Sequence, residues 1–369
     1  MFTELDYRMM ARALQLAERG LFTTDPNPRV GCVITAGGRI VGEGWTDPVG
    51  GPHAEVNALR AAGALSRGAT AYVSLEPCSH HGRTPPCSDA LIAAGVRRVI
   101  CAVGDPNPLV DGGGIGKLRA AGIEVESGLL AQQAERLNIG FFKRMRSGLP
   151  HVTVKVAASL DGKVALRNGA SKWITGEPAR RDVQRLRARS SAVLTGIGTV
   201  LADDPQLNVR DPAIEMLGRQ PMRVVCDSRL RMPMSARILR EPGVTRVYTT
   251  VSAGAAPLVQ AGASVHTVAA DARGAVDLLA VLLDLAGHHC NEVLVEAGPA
   301  LSGRFLELGL ADVLITYLSP IVLGGDARSM LALPAIDDMQ QRLELDLVEQ
   351  RHLGKDIRFT WKPRGGKQG

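Results

Sequence analysis

No apolar run in this 369-residue chain approaches the ~18 residues that a helix needs to cross a bilayer. The opening "MFTELDYRMMARALQLAERG" reads as an amphipathic helix with neither an h-region nor a cleavage site, so a cytoplasmic protein with no membrane partner is expected. Aromatics are equally scarce: Phe, Trp and Tyr make up 4% of residues, which leaves few platforms for stacking flipped or single-stranded bases and weighs against a nucleic-acid partner. The six cysteines (Cys32, Cys78, Cys87, Cys101, Cys226, Cys290) are spread too thinly for a disulfide framework, so any paired role for them points to metal. Internal repeats and low-complexity tracts are absent, and no G-x-G-x-x-G follows the strands of the second half.

The chain is longer than one hydrophobic core usually organises, and its 45% apolar content can fill two. A net charge of +6 and a pI near 9.1 suit anionic partners, phosphorylated metabolites among them. Strand and helix patterns alternate. "GCVIT", "TAYVSLEP", "RRVICAVGDP" and "GIEVESG" read as strands, and "EVNALRAAG", "CSDALIAAG" and "IGKLRAAG" as short helices, each closed by a glycine. One last helix is expected around "LAQQAERLNIGFFKRMRSG". This predicts a three-layer α/β/α domain over residues 1–148 and, from "HVTVKVAASLDG" onward, a second α/β domain over 149–369. The polar stretch "RDPAIEMLGRQP" reads as a loop and the tail "KPRGGKQG" as frayed.

Two short stretches carry the chemistry. "PHAEVNALRAAG" places His53 two residues before Glu55, and "EPCSHHGRTPPC" brings Cys78 and Cys87, each preceded by proline. A catalytic zinc takes three imidazole or thiolate ligands and keeps a fourth position for water, whose pKa it lowers to near neutrality. His53, Cys78 and Cys87 meet that count, and Glu55, on the same helical turn as His53, is placed to shuttle protons without occupying the metal. Pro86 suits the first position of a helix, which would set the Cys87 thiolate among unpaired backbone N–H groups.

Zinc nucleobase deaminases carry H-x-E followed by P-C-x-x-C. Here eight residues separate the cysteines instead of two. Either the insert "SHHGRTPP" loops over the site to hold substrate, or His80 or His81 replaces Cys87 as ligand. The first is favoured, because Cys87 opens a helix while the histidines lie in a Gly/Pro-rich loop. Singly, each of the four residues fits a core histidine, a solvated glutamate or buried thiols; together they fit a metal site better.

The motifs "NPRVGCVI", "GGPHAEVNAL", "EPCSHHGRTPPC" and "GDPNPLVDGGGI" resemble the deaminase half of the bifunctional riboflavin-biosynthesis deaminase/reductases. In the second half, "KVAASLDGKVA", "SKWITG", "GTVLADDPQLNVR" and "EAGPALSG" resemble the reductase half, so the likeness spans nearly the whole chain. It implies a cytidine-deaminase-like domain followed by a dihydrofolate-reductase-like one, one Zn2+ per chain, NADPH, and a homodimer or larger assembly. The implied substrate is a diaminopyrimidinone bearing a ribosylamino 5′-phosphate, deaminated to a uracil and then reduced at the ribose. In the deaminase half the resemblance gives Asn27, His80 and Arg83 substrate contacts. Where many members carry a histidine seven residues before the metal histidine, this chain has Thr46.

In the reductase half the residues themselves say less, because hydride chemistry belongs to the cofactor. "TGIGT" (Thr195 to Thr199) is a lone Gly-x-Gly that suits a plain turn. Gly298 and Pro299 follow a buried strand and open a helix whose first amides can take a pyrophosphate, with Ala300, Leu301 and Ser302 beside them. Arg181, Arg185 and Arg189 share a helical face, either as a solvated basic stripe or around an anion. The resemblance assigns the substrate phosphate to Arg187, with Arg210, Ser171 and Leu207 beside it. It makes Lys155, Asp203 and Glu296 the polar residues of the reductase site and Ala157, Trp173, Thr199 and Ser228 cofactor contacts. Read without it, Lys155 fits a strand-edge charge, Trp173 simple core and Asp203 a cap.

Overall fold

A computed structural model describes residues 1–79, 85–108 and 110–364. Two compact units divide the chain, Met1–Leu149 and Pro150 onward. The first contains α1 (Glu4–Ala17), β1 (Gly31–Ala36), β2 (Arg39–Trp45), α2 (Ala54–Ala62), β3 (Thr70–Val73), α3 (Cys87–Ala93), β4 (Arg98–Cys101), α4 (Gly113–Ala120), β5 (Glu124–Ser127), α5 (Ala131–Leu137) and α6 (Ile139–Ser147). The strands form one sheet in the order β2-β1-β3-β4-β5, with β1 antiparallel to both neighbours and β3, β4 and β5 parallel.

Alternation along these strands builds the three layers. Cys32, Ile34, Val73, Val99 and Cys101 point to one face, where Ala54, Ala58, Leu91, Leu118 and Phe142 of α2, α3, α4 and α6 cover them. Val33, Tyr72 and Ile100 point to the other, against Met10, Ala13 and Leu16 of α1 and Ala134 of α5. The sequence pattern does not reveal β2, because Gly42 and Gly44 dilute its apolar alternation. Their reason is contact: a Cβ on Gly42 would lie 2.2 Å from the Ala58 carbonyl oxygen, and one on Gly44 2.4 Å from that of Ala54. Helix α2 therefore lies directly on β2, which fixes where its first turn points.

The single helix expected over residues 130–148 is two. Asn138, buried and outside helical geometry, turns its side chain to accept from the Arg29 amide at 2.8 Å and donate to the Arg29 carbonyl at 2.9 Å. That pair of bonds competes with helix continuation.

The second unit contains β6 (His151–Ser159), β7 (Lys163–Ala165), α7 (Glu177–Arg189), β8 (Ala192–Gly196), α8 (Ile197–Asp203), β9 (Met222–Cys226), β10 (Thr245–Thr249), α9 (Ala256–Gln260), β11 (Ala263–Thr267), α10 (Leu278–Gly287), β12 (Glu292–Val295), α11 (Pro299–Glu307), β13 (Val313–Ser319), β14 (Arg328–Ser329), β15 (Leu345–Leu353) and β16 (Asp356–Pro363). Nine strands form a sheet in the order β11-β10-β9-β8-β12-β6-β13-β16-β15, parallel from β11 to β13 and closed by the antiparallel β16 and β15. Ligands of such sheets bind outside the carboxyl ends of the parallel strands. Residues 210–221 hold no helix or strand, as expected of a loop. The tail is a correction: Lys362 and Pro363 belong to β16, while residues 365–369 lie outside the described part.

Candidate active sites

In the first unit His53, Cys78 and Cys87 converge, their ligand atoms all within 4.8 Å of one another. His53 is the N-cap of α2, Cys78 follows β3, and Cys87 is the first residue of α3. Pro86 is the N-cap rather than the first helical residue, so its fixed φ leads the chain into the helix and Cys87 takes the first turn. The His53 Nδ1 lies 3.2 Å from the Cys87 Sγ and 3.7 Å from the Cys78 Sγ. Zn–N and Zn–S bonds at a tetrahedral angle put nitrogen and sulfur about 3.5 Å apart, so this ligand set fits zinc. The Cys87 amide donates to the Cys78 Sγ at 3.3 Å, which stabilises thiolate there.

The charges agree with that reading. The Cys87 thiol, bonded to the Cys78 sulfur, brings the Cys78 pKa down to about 4, with His53 helping. Cys87, donating to Cys78 and buried, is pushed far up. Zinc uptake must displace any proton this pair holds. Glu55 is 3% exposed. Burial first, and then the Cys78 thiolate, push its carboxyl up to about 7, while His53 pulls the other way. A carboxyl poised near neutrality beside three ligands has the properties of a proton carrier.

The remaining first-unit candidates are less gathered. Asn27 sits in the loop before β1, in a turn closed by its amide to the Thr24 carbonyl. Thr46 directs both its amide, at 3.0 Å, and its hydroxyl, at 3.4 Å, to the Val30 carbonyl, so this side chain closes the backbone. His80, His81 and Arg83 lie outside the described residues.

In the second unit a cavity of about 1510 Å³ opens at the carboxyl ends of the parallel strands. Lys155, Ala157, Ser171, Trp173, Arg187, Thr199, Asp203, Leu207, Arg210, Ser228, Glu296, Gly298, Pro299, Ala300 and Leu301 all line it. They come from segments far apart in sequence, which the parallel strand order brings together at one edge. Gly298 is the N-cap and Pro299 the first residue of α11, so the start of that helix borders the cavity, the kind of site that takes a pyrophosphate. The volume suits a dinucleotide with a second ligand beside it. Ser302 is not part of the lining: its hydroxyl donates to the Ala297 carbonyl and its amide to the Gly298 carbonyl, and it is fully buried.

Several plain readings fall here. Lys155 lies on β6, between β12 and β13, not at an edge. Trp173 is 70% exposed, with the Arg180 guanidinium 4.8 Å from its ring centroid, so it is not core. Asp203 ends α8 and does not cap its start. "TGIGT" is no plain turn, since Gly196 is the N-cap of α8. Leu207 buries its side chain in the core and adopts φ +51°, so only its backbone can face a ligand. Arg181 pairs with Glu177 and Arg189 with Glu292, each at 2.6 Å, which offsets the crowding of like charge without an anion.

At the back of the cavity Arg187 makes a two-pronged pair with Glu296, at 2.5 and 2.9 Å, and donates to the Asn208 carbonyl at 3.1 Å. Lys155 Nζ stands 3.8 Å from the same carboxylate. Burial lowers the Lys155 pKa and Arg187 adds to that, against the pull of Glu296. Burial alone would raise Glu296, but the Arg187 charge and hydrogen bonds hold it below its ordinary range. The resemblance assigned Arg187 to the substrate phosphate and Lys155 to the polar residues of the reductase site, but gave no sign that the two share this acid. It also missed Arg180 over Trp173, and Glu76 and Ser88 around Cys78.

A His/Cys/Cys metal site with a buried acid, on a three-layer sheet, followed by a parallel-sheet unit with a dinucleotide-sized cavity, defines a two-part enzyme: a zinc-dependent deaminase and an NADPH-dependent reductase. Residues 3–103 match the cytidine and deoxycytidylate deaminase zinc-binding region, and residues 150–359 match the RibD C-terminal domain. The riboflavin biosynthesis protein RibD of Escherichia coli is 49% identical over 362 residues, covering 95% of this chain and 98% of that protein. The Acinetobacter baumannii RibD structure superposes with a TM-score of 0.92 at 46% identity, over 98% of this chain and 99% of that one. A Thermotoga maritima deaminase/reductase follows at 0.85 and 34%, covering 97% and 99%. The chain belongs to the RibD family of bifunctional riboflavin-biosynthesis enzymes.

Proposed function

We propose that the first unit deaminates 2,5-diamino-6-(5-phosphoribosylamino)pyrimidin-4(3H)-one and that the second reduces the ribose of the resulting 5-amino-6-(5-phosphoribosylamino)uracil. The observation that carries this reading is the convergence of His53, Cys78 and Cys87 beside the buried Glu55. Zinc held by these three residues supplies an activated water, and NADPH in the second unit supplies a hydride. Glu55 takes a proton from the attacking water and delivers protons to the ring nitrogen and to the amine that leaves as ammonia. In the second unit, a hydride supplied there would add to ribose C1 as the bond from C1 to the ring oxygen breaks. Lys155 Nζ, steadied by Glu296, protonates that oxygen, and Arg187 and Arg210 meet the phosphate. The first turn of α11 would hold the cofactor's pyrophosphate, and Ala157, Trp173, Thr199, Asp203 and Ser228 would hold the rest. Asn27, His80, Arg83, Ser171 and Leu207 complete the substrate contacts.

Incubation of the purified protein with the diaminopyrimidinone phosphate, with and without NADPH, tests the whole scheme by product mass. Accumulation of the uracil without NADPH and of the ribityl product with it is the expected result; unchanged starting material overturns it. Cys87→Ser is expected to remove the ~1 zinc per chain, measured by elemental analysis, together with deamination, while reduction continues. Zinc retention in Cys87→Ser alongside zinc loss in a His80→Ala variant would replace Cys87 by His80 as ligand.

The same reading makes the substrate a free metabolite handled in the cytoplasm, where NADPH and phosphorylated intermediates are retained. No shift of RNA or DNA on a gel is expected. Among the described residues no helix is long and apolar enough to cross a membrane. A homo-oligomer is part of the proposal too: Leu347 and Val348 on the outer strand β15, with Met339 and Leu343 just before it, are exposed apolar residues, and light scattering on the intact chain tests it. The junction at "RSGLPH" would let the units fold separately. A fragment from His151 onward is then expected to bind NADPH and reduce the uracil without zinc.

A further inference from the structure

Cys78 is held by more than its place after β3, and the group that does most of the holding is a carboxylate with no part in the chemistry so far. Glu76 is 3% exposed. Its Oε2 accepts from the amides of Asp105 at 3.2 Å and Gly112 at 3.1 Å, and its Oε1 from the amide of Ile115 at 3.0 Å. Its own amide donates to the Val103 carbonyl at 2.9 Å. Helix α4 begins after Gly112, an N-cap at φ +76° with no side chain to offer the orphan amides of the first turn. Glu76, remote in sequence, does that work for it, and its negative charge suits the helix start.

The clamp continues through the next two residues. A Cβ on Gly114 would lie 1.8 Å from the Pro77 carbonyl oxygen, so α4 rests against the backbone immediately before Cys78. Pro77 has a fixed φ and transmits that position stiffly. From the other side, the Ser88 amide and hydroxyl donate to the Cys78 carbonyl at 3.2 and 3.1 Å, and the Cys87 amide reaches its sulfur. Cys78 is thus set between the starts of α3 and α4, and the α4 side depends on one carboxylate.

We propose that Glu76 is a positioning residue of the deaminase, fixing the Cys78 thiolate for metal by tying the Glu76–Cys78 segment to the start of α4. This rests on the assignment of Cys78 as a zinc ligand. Partners that orient a metal ligand typically contribute 10–100-fold in affinity or activity. In Glu76→Gln one oxygen can still accept, but the amide nitrogen faces a backbone N–H, so the clamp opens without loss of side-chain volume. Gly114→Ala opens it from the opposite side and leaves every charge in place.

The test uses the full-length chain loaded with zinc or, for spectroscopy, cobalt(II). Both variants are expected to release zinc to a chelator about 10–100-fold more readily and to lower kcat for deamination by a similar factor. Their thiolate-to-cobalt absorption should be altered at saturating metal, and reduction by the same chain should continue at its usual rate. Combined, the two substitutions should be less than additive, because both break one contact. A purely structural role would lower the melting temperature but leave the cobalt spectrum and kcat of folded protein unchanged, and that result in both variants overturns the proposal. Cys78→Ser serves as the separate control: if it binds zinc as tightly as the parent, the ligand assignment itself fails, whatever Glu76 does.

Discussion

Glu55→Gln is expected to leave one zinc per chain and to lower deamination by at least ~10²-fold, the size of a lost general acid or base. The substitution preserves shape, and it leaves His53, Cys78 and Cys87 untouched as ligands. It removes the one group near the site whose carboxyl is pushed up to about 7 and so can both accept and return a proton near neutral pH. Metal content and turnover, measured on the same sample, separate the two roles. Near-normal turnover with full zinc would remove Glu55 from the mechanism, and loss of zinc would make it a ligand.

The zinc site was legible because its residues are chemically costly. A buried glutamate two residues after a histidine, and paired cysteines behind prolines, serve no packing need, so their spacing carries information even before a fold is known. The insert between the cysteines was legible only as a choice; the convergence of Cys87 with His53 and Cys78 supports a thiolate ligand, and His80 and His81 lie outside the described residues. Glu76 was invisible for a physical reason. Its partners are three backbone amides between 29 and 39 residues away, and backbone groups leave no signature in a side-chain pattern. Strand β2 was missed for a related reason, since Gly42 and Gly44 exist to admit α2 and not to form a strand.

In the second unit the α/β class followed from the sequence pattern, whereas the cavity did not. Its lining comes from β6, from α7, α8 and α11 and from the segments that follow β6, β8, β9 and β12, which only the parallel sheet order brings side by side. Family resemblance therefore did most of the work there. It pointed to Arg187 and Glu296 separately, and the fold shows them bonded to each other. The C-terminal hairpin of β15 and β16 went unread because its exposed, charge-rich alternation resembles a solvated tail.

That bond shapes the second large expectation. Lys155→Ala should lower reduction by ~10²-fold or more while deamination by the intact chain is unchanged, because on the proposed mechanism it removes the proton donor for the sugar and leaves His53, Glu55, Cys78 and Cys87 in place. Arg187→Ala should act differently. If Arg187 meets the substrate phosphate, KM for the uracil substrate should rise by the equivalent of ~1.5–3 kcal/mol, the contribution of a charge-assisted hydrogen bond. The same change strips Glu296 of its bidentate partner, and breaking a buried pair from one side costs ~3–5 kcal/mol, so the melting temperature of the reductase unit should fall as well. The pH profile supplies the sharper sign. Arg187 lowers the Lys155 pKa, and Glu296 raises it. Without Arg187 the ammonium form persists to higher pH, so the alkaline limb of the kcat profile should move upward. A limb that stays in place while KM rises would leave Arg187 as a phosphate contact alone and would remove Lys155 as the acid whose titration sets that limb.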